Sequence, residues 1–177
     1  MKRDPAVRKS FEEFAKIAPM RVLGNWTDAE AAIVYHYSTD LEKIEKLNRQ
    51  LRAGRPDEHN RALRRLLDKA LSKAPVHEGR VYRKITIKGD ASAFLKRYAK
   101  GAVVTEDAFT SATHGIDDYN GRQGNVGFIF AARTARKIES IAGKPSEHEV
   151  LFRTGSRFEV LDVKPMADRI EILAREI

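Results

Sequence analysis

One arginine, one serine and two glutamates stand in three short segments whose residue types could perform chemistry. The first segment contains Arg83, which shares one face of a predicted strand with the apolar residues Val81 and Ile85. An unpaired guanidinium among apolar neighbours is costly, so Arg83 would need an anionic partner, and a pair of phosphates matches its fork of donors. Taken alone, the segment also fits an exposed arginine or one that is paired with a carboxylate.

The second segment places two hydroxyl groups after a bulky apolar residue. Alternation puts Phe109, Ser111 and Thr113 on one face of a second predicted strand. Hydroxyl groups on a core-facing strand need hydrogen-bond partners, so they either position other polar side chains or bind a ligand. Residues that simply favour a strand remain the alternative explanation for this segment alone.

The third segment carries two glutamates at the junction of a loop and a strand. If the chain is extended there, Glu147 and Glu149 point the same way, and their carboxylates are close enough to interact. Repulsion and partial burial would then perturb the pKa values of both carboxylates, as is common in functional sites. Two solvated glutamates on an edge strand remain the alternative.

Helices are predicted to dominate the first half of the chain. Thr27 and Glu30 form a capping box, Thr39 and Glu42 form a second one, and Pro56 suits the first turn of a third helix. The apolar stripes of these helices comprise Ala31, Ile33, Val34, Tyr37, Leu41, Ile44, Leu47, Leu51, Leu63, Leu66, Leu67, Ala70 and Leu71.

Short strands are predicted to dominate the second half. Alternating segments occur at Val81–Ile87, Gly127–Ala131, Glu149–Arg153 and Phe158–Val163, with a short helix at Ala91–Tyr98. Helices followed by strands favour an α+β domain over a doubly wound parallel sheet. We therefore expect an N-terminal helical segment packed on a mostly antiparallel β core made of two sheets.

Length and composition suit one compact domain. The 177 residues, of which 42% are hydrophobic, predict a single domain over 1–177, with 1–26 as a less ordered or helical lead-in and a possible helix around Ser10–Ile17. The absence of cysteine excludes disulfides and thiolate chemistry. Because no apolar run approaches the ~18 residues of a membrane span and the start lacks a signal peptide's apolar segment, we expect a soluble protein.

Positive charge is concentrated in the helical half. Residues 1–100 carry 23 Lys and Arg against 13 Asp and Glu, whereas the remainder is slightly acidic and the whole chain has a net charge of +8. Such a surface could attract a dinucleotide, a nucleic acid or an acidic protein, although a solvated helical surface has the same composition. The five histidines are scattered along the chain, and no metal site is predicted.

In this order and spacing, the three segments resemble the R-S-E class of mono-ADP-ribosyltransferases. That class has an arginine at the end of an early strand, a Ser-Thr-Ser-like strand after an aromatic residue, and Glu-x-Glu before an aliphatic strand. In this chain 28 residues separate Arg83 from Ser111, and 38 separate Ser111 from Glu149. The resemblance also covers Tyr37-Ser38 and the Asn-x-x-Leu-Arg pattern of residues 48–52.

The resemblance implies a role for each residue of the set. Arg83 would bind the phosphates of NAD, Ser111 would hold Glu149, and Thr113 would support the same strand at the NAD site. Glu149 would bond the nicotinamide ribose and stabilise the positive charge that grows at its anomeric carbon. Glu147 would orient an arginine acceptor and take its proton, because Glu-x-Glu accompanies arginine targets in this class.

The same resemblance leaves the acceptor and the setting open. Ala112 and Thr113 replace the last two letters of Ser-Thr-Ser, and residues 141–146 lack the aromatic residue with which toxin relatives meet a target protein. The expected function is transfer of ADP-ribose from NAD to arginine on a target protein, by a bacterial toxin or effector domain with a possible immunity or delivery partner. It would act in the bacterial cytoplasm or in the cytosol of a target cell.

Four alternatives remain from the sequence. The chain could release ADP-ribose to water as an NAD glycohydrolase, or it could modify RNA or DNA, which its basic half makes plausible. It could also be an inactive module that recognises NAD or a partner protein. Finally, it could be a basic nucleic-acid-binding protein without enzymatic activity, in which case the set of site residues is a coincidence.

Overall fold

Three helices open the computed structural model, which describes Glu12, Lys16 and residues 25–177. They are α1 (Asp28–Thr39), α2 (Leu41–Arg52) and α3 (Glu58–Lys73). Glu12 and Lys16 are helical, and the rest of the predicted helix around Ser10–Ile17 lies outside the described residues, as does most of the predicted lead-in.

Side-chain caps fix where the three helices begin. Thr27 and Glu30 form the predicted capping box, with the Glu30 amide donating to Thr27 Oγ1 at 3.3 Å and the Thr27 amide donating to Glu30 Oε2 at 3.0 Å. The second predicted box is wrong by one residue: α1 continues to Thr39, so Asp40 is the cap of α2 and accepts from the Lys43 amide at 3.2 Å. One orphan amide of α2 is satisfied in this way, by Asp40 rather than by the predicted pair of Thr39 and Glu42.

The predicted apolar stripe of α3 is correct except at one position. Asp57, rather than Pro56, starts the helix by accepting from the Asn60 amide at 2.8 Å. Leu66 was expected on the buried side and is 50% exposed, whereas Leu63 and Leu67 are buried. Leu66 lies about 100° around the helix from Leu67, which turns it away from the packed face.

Seven strands and two short helices follow. They are, in chain order, β1 (Val76–Ile85), α4 (Ser92–Arg97), β2 (Val103–Glu106), β3 (Thr110–Thr113), α5 (Ile116–Gly121), β4 (Val126–Lys137), β5 (Glu149–Phe152), β6 (Ser156–Pro165) and β7 (Ile170–Glu176). A 3₁₀ turn at Pro145–Glu147 precedes β5. The predicted strands and the predicted short helix are present with shifted ends, while β2, β7 and α5 were not predicted.

The strands form one hydrogen-bonded network in which β1 and β4 belong to two sheets. One sheet has the order β1-β4-β7-β6-β2, and its β4–β7 pair is parallel while its other pairs are antiparallel. The other is completed by β3 and β5, which pair with each other and join β1 and the end of β4. The predicted α+β class and mostly antiparallel core are therefore confirmed, and the two sheets are continuous through their shared strands.

Two apolar cores hold the helices against the sheets. The first lies under α1–α3 and includes Phe109, Ile138 and Leu151 from the strand half. The second lies between strands and α4, with Phe128 and Phe130 among its aromatic rings. Because Phe109 and Leu151 belong to the same core as the helices, β3 and β5 are held directly beside α1 and α2. No helix among the described residues is long and apolar enough to cross a membrane.

Candidate active site

A cleft of about 670 Å³ separates the helical layer from the strands of the smaller sheet. This volume lies within the range of small-molecule sites in proteins. Its lining includes Tyr37, Asn48, Arg49 and Arg52 from the helices, Arg83, Phe109, Ser111 and Glu149 from the strand half, and Arg122 and Glu147 from two connections. Four of the five residues predicted for the site therefore share one cavity.

Arg83, Ser111 and Glu149 form a continuous chain of hydrogen bonds along the cleft. The Arg83 guanidinium donates from Nη1 to the Ser111 carbonyl oxygen at 2.6 Å. The Ser111 hydroxyl in turn donates to Glu149 Oε1 at 2.6 Å, a length typical of a bond to an ionised acceptor. Ser111 and Glu149 lie on the paired strands β3 and β5, and Arg83 lies on β1, which also pairs with β3, so the sheet fixes their separation.

The Glu149 carboxylate is held in an environment that opposes its ionisation. Burial is the largest cause and raises the pKa of Glu149 above its ordinary value, while the hydrogen bond from Ser111 lowers it. The charge of Glu147 raises the same pKa further, and Arg122 and Arg83 act in the opposite direction. A partly desolvated carboxylate with a single fixed donor is suited to stabilising a positive charge nearby.

Glu147 reaches the cleft by a different backbone path from the one expected. Residues 145–147 form a 3₁₀ turn and His148 is left-handed with φ of 46°, so the condition of an extended Glu147-His148-Glu149 segment is not met. The tight turn folds the chain back before β5 begins, yet Glu147 still faces the cavity. Its carboxylate pairs with Arg122 Nη2 at 3.1 Å and with Lys144 Nζ at 3.4 Å.

Thr113 lies beside the site rather than in the cleft. Its side chain is buried, and its hydroxyl donates to Asp118 Oδ2 at 3.2 Å and accepts from the Gly115 amide at 2.9 Å. Thr113 also pairs in register with Glu149 in the β3–β5 ladder. The structure thus places its hydroxyl at the start of α5, and it does not bring it to the Arg83–Ser111–Glu149 chain.

Three guanidinium groups in the cleft lack a carboxylate partner. Arg49, Arg52 and Arg83 line the cavity, and within the part of the chain that the structure describes none of them forms an ion pair. Arg83 is partly buried and Arg49 and Arg52 are exposed, so three positive charges face one cavity and would attract an anion there. Arg49 and Arg52 were not predicted as site residues, although the Asn-x-x-Leu-Arg pattern contains Arg52.

Two aromatic rings that line the cleft pack against each other. The Tyr37 and Phe109 rings pack edge to face with centroids 5.6 Å apart. Burial raises the pKa of Tyr37 to about 12, so this phenol stays neutral, and Asn48 Nδ2 donates to its oxygen at 3.3 Å. Arg122 could not have been found from the sequence, because it lies in a short connection without periodicity.

The chain matches a known family over most of its length. Residues 9–174 match the model of the ADP-ribosyltransferase exoenzyme family. The chain belongs to this family. A Mycobacterium avium protein, Mav, whose name describes an NAD(+)–arginine ADP-ribosyltransferase, is 37% identical over 152 residues. That match covers 82% of this chain and 18% of Mav, so the chain spans about a fifth of this relative's length.

Solved structures of bacterial ADP-ribosyltransferases have the same fold. HopU1 of Pseudomonas syringae superposes with a TM-score of 0.81 at 19% identity, covering 97% of this chain and 87% of HopU1. Exoenzyme S of Pseudomonas aeruginosa, solved with human 14-3-3 protein beta and carba-NAD, gives 0.75 at 19% identity and covers 95% and 82%. Vis, solved with agmatine, gives 0.71 at 20% identity and covers 100% and 87%. The predicted family and fold are thereby confirmed.

Proposed function

We propose that the chain is the catalytic domain of an arginine-specific mono-ADP-ribosyltransferase. The observation that carries this proposal is the Ser111–Glu149 hydrogen bond at 2.6 Å, placed in a cleft beside unpaired guanidinium groups. The name of Mav, the carba-NAD bound to Exoenzyme S and the agmatine bound to Vis support the same substrates for this chain.

NAD would bind through its diphosphate. Its two negative charges suit the guanidinium groups of Arg49, Arg52 and Arg83, which line the cleft and can each donate more than one charge-assisted hydrogen bond. The residues present therefore fit the molecule. Arg83 also donates to the Ser111 carbonyl, so phosphate binding and the position of β3 would be coupled.

Glu149 would promote the departure of nicotinamide. When the bond between the ribose and nicotinamide breaks, its electron pair leaves with neutral nicotinamide and positive charge develops at the anomeric carbon. A carboxylate held by Ser111 in a desolvated position stabilises that charge without having to reorganise. Thr113 would contribute by holding β3 against β5 at the level of Glu149.

Glu147 would prepare the acceptor. The guanidinium of arginine stays protonated at neutral pH and is a poor nucleophile, so a carboxylate must orient it and take a proton as the new bond forms. Glu147 is half-exposed at the cleft, and its present partners are a guanidinium and an ammonium group. Its affinity for cations at this position favours transfer to arginine over hydrolysis by water.

The wider setting follows from the same relatives. We infer that residues 1–177 form one catalytic domain, because the family match spans 9–174 and the helices and strands share a core. The similarity to bacterial effectors favours action as a toxin or effector on a target protein in another cell. A delivery or immunity partner would accompany such a domain.

The deciding experiment separates nicotinamide release from transfer. Purified protein is incubated with NAD and agmatine, and both nicotinamide and ADP-ribosyl-agmatine are quantified for wild type, Glu149→Ala and Glu147→Ala. We expect Glu149→Ala to lower both products by about 100-fold or more, and Glu147→Ala to abolish transfer while nicotinamide release continues.

Glu159→Ala serves as the matched control, because Glu159 lies on β6 and pairs with Arg175 away from the cleft. It should retain both activities. If wild type neither binds nor consumes NAD, the proposed function is wrong. If it releases nicotinamide but never modifies agmatine or a protein, it is a glycohydrolase.

A further inference from the structure

Arg122 presents its guanidinium to Glu147 from a firmly held backbone. Its carbonyl oxygen accepts from Lys84 Nζ at 3.0 Å, and its amide donates to the Tyr119 carbonyl at 3.2 Å. The side chain is 39% exposed and Glu147 is 40% exposed, so the pair lies at the cleft's opening. These two bonds fix the backbone of Arg122, and the ion pair with Glu147 sets where its guanidinium lies.

The contact between Arg122 and Glu147 is the one that an acceptor arginine would make. Arg122 Nη2 lies 3.1 Å from Glu147 Oε2, while Lys144 Nζ approaches the other carboxylate oxygen at 3.4 Å. Within the described ranges of the chain, no other arginine pairs with Glu147. Arg122 also lines the cavity that holds Glu149, and its charge lowers the pKa of that carboxylate.

From this geometry we propose that Arg122 is itself an acceptor, so that the protein ADP-ribosylates its own Arg122 within one molecule. The inference rests on the proposed function and adds a modification site to it. A nitrogen of the Arg122 guanidinium forms a bond to the anomeric carbon of the nicotinamide ribose. The bond from that carbon to nicotinamide breaks, its electron pair leaves with nicotinamide, and a guanidinium proton passes to Glu147.

Intramolecular transfer is favoured because the acceptor is already positioned. A group held in place reacts at an effective concentration that no dissolved acceptor reaches. The adduct on Arg122 would place a diphosphate in the cleft beside the guanidinium groups of Arg49, Arg52 and Arg83. It would also break the ion pair between Arg122 and Glu147. The modified protein would therefore transfer less ADP-ribose. Before modification, an external acceptor would have to compete with Arg122 for the Glu147 carboxylate.

Peptide mapping by mass spectrometry tests the inference directly. Wild-type protein is incubated with NAD alone at several protein concentrations, and the adduct is located by fragmentation. Agmatine transfer is measured in parallel. We expect one adduct, on Arg122, formed at a rate per molecule that does not change with protein concentration. Arg122→Lys should lower the adduct at least tenfold, while Arg175→Lys, which changes an exposed and paired arginine on β7, should not.

A mixing experiment distinguishes modification within one molecule from modification between molecules. A Glu149→Ala copy of different mass, which keeps Arg122 and Glu147, is incubated with wild type and NAD. It should stay unmodified at Arg122. Equal labelling of both copies would overturn the inference, as would adducts confined to other arginines while agmatine is modified. Failure to release nicotinamide or modify agmatine would instead overturn the proposed function, and the inference with it.

Discussion

Glu149 is charged in a place that disfavours charge, and this conflict has consequences for activity and stability. Desolvation raises the pKa of its carboxyl, and the nearby Glu147 raises it further. Ser111 compensates in part through its short hydrogen bond. The role proposed for Glu149 needs the ionised form, which the folded state disfavours, and such conflicts are common at active sites.

The first prediction concerns how nicotinamide release depends on pH in the acidic range. The role proposed for Glu149 requires its ionised form, and burial raises the pKa of Glu149. Nicotinamide release should therefore fall as the pH is lowered, with a midpoint above the ordinary glutamate value of 4.5. Glu147→Gln removes the charge of Glu147, which is one cause of the raised pKa of Glu149. The midpoint of nicotinamide release in this variant should therefore lie at a lower pH. The pH profile of nicotinamide release measures both, and a wild-type midpoint at or below 4.5 would contradict the prediction.

The second prediction concerns stability at the same residue. A raised carboxyl pKa means that the folded state favours protonated Glu149. The stabilisation that comes from the protonated carboxyl is present at low pH, and it is lost as the pH rises through the pKa of Glu149 in the folded state. Glu149→Gln should therefore raise the melting temperature at pH 7.5, and the gain should shrink towards pH 4. Ser111 can still donate to the amide oxygen. Thermal unfolding at both pH values provides the measurement.

At the scale of elements, the connection between β4 and β5 determines where Glu147 stands. Several contacts hold this connection. The Gly143 amide donates to Ser38 Oγ at 2.9 Å, His114 Nε2 lies 3.0 Å from Glu139 Oε2, Arg122 pairs with Glu147, and His148 Nδ1 lies 2.9 Å from Asp118 Oδ2. Helix α1 therefore helps to place a residue that is more than one hundred positions away in sequence.

The third prediction follows from the Ser38 contact. Ser38→Ala leaves the Gly143 amide without its partner, so the connection should loosen and agmatine transfer should fall several-fold more than nicotinamide release. Ser72→Ala is the matched control, since its hydroxyl donates only to the Lys69 carbonyl within α3. Equal losses of both activities in Ser38→Ala would show that the contact does not act through Glu147.

The fourth prediction concerns the start of α2. Asp40→Ala removes the observed cap and should destabilise the protein by about 1 kcal/mol. Thr39→Ala should cost less than about 0.5 kcal/mol, because the Thr39 hydroxyl donates to the Tyr35 and His36 carbonyls within α1 and does not cap α2. Urea unfolding of both variants measures the difference, and the reverse order would favour Thr39 as the cap.

Local signals predicted most elements, while contacts between distant segments could not be predicted. Capping residues and alternation identified α1 to α3 and five strands, because those signals act within one turn or one strand. The turn that carries Glu147 depends on the left-handed conformation of His148, and the Thr113 hydroxyl binds Asp118. No local sequence pattern specifies either feature. The family resemblance brought Arg83, Ser111 and Glu149 together where spacing alone left alternatives.

At the scale of the whole molecule, a buried carboxylate joins the end of β7 to the middle of β4. Glu176 is 6% exposed and accepts from the amides of Arg133 and Thr134 at 2.6 and 2.7 Å, and from the Thr134 hydroxyl. These donors fully satisfy the charge, so the β4–β7 pair is held by side-chain as well as ladder bonds.

The fifth prediction tests that anchor. Glu176→Gln replaces an acceptor by a group with two donors facing existing donors, so it should cost on the order of 1–3 kcal/mol of unfolding free energy. Glu159→Gln, which breaks an exposed pair with Arg175, should cost less than about 1 kcal/mol. Chemical denaturation of the two variants decides whether Glu176 is an anchor.

The position of β7 in the sheet also determines when the sheet can be completed during synthesis on the ribosome. β7 is the last described strand in the chain, yet it lies between β4 and β6 in the larger sheet. Until it emerges, β4 and β6 each present an unpaired edge, and the strands that carry the cleft stay unconnected to the far side of the sheet. The far side of the larger sheet is therefore expected to join the strands that carry the cleft only after β7 has been synthesised.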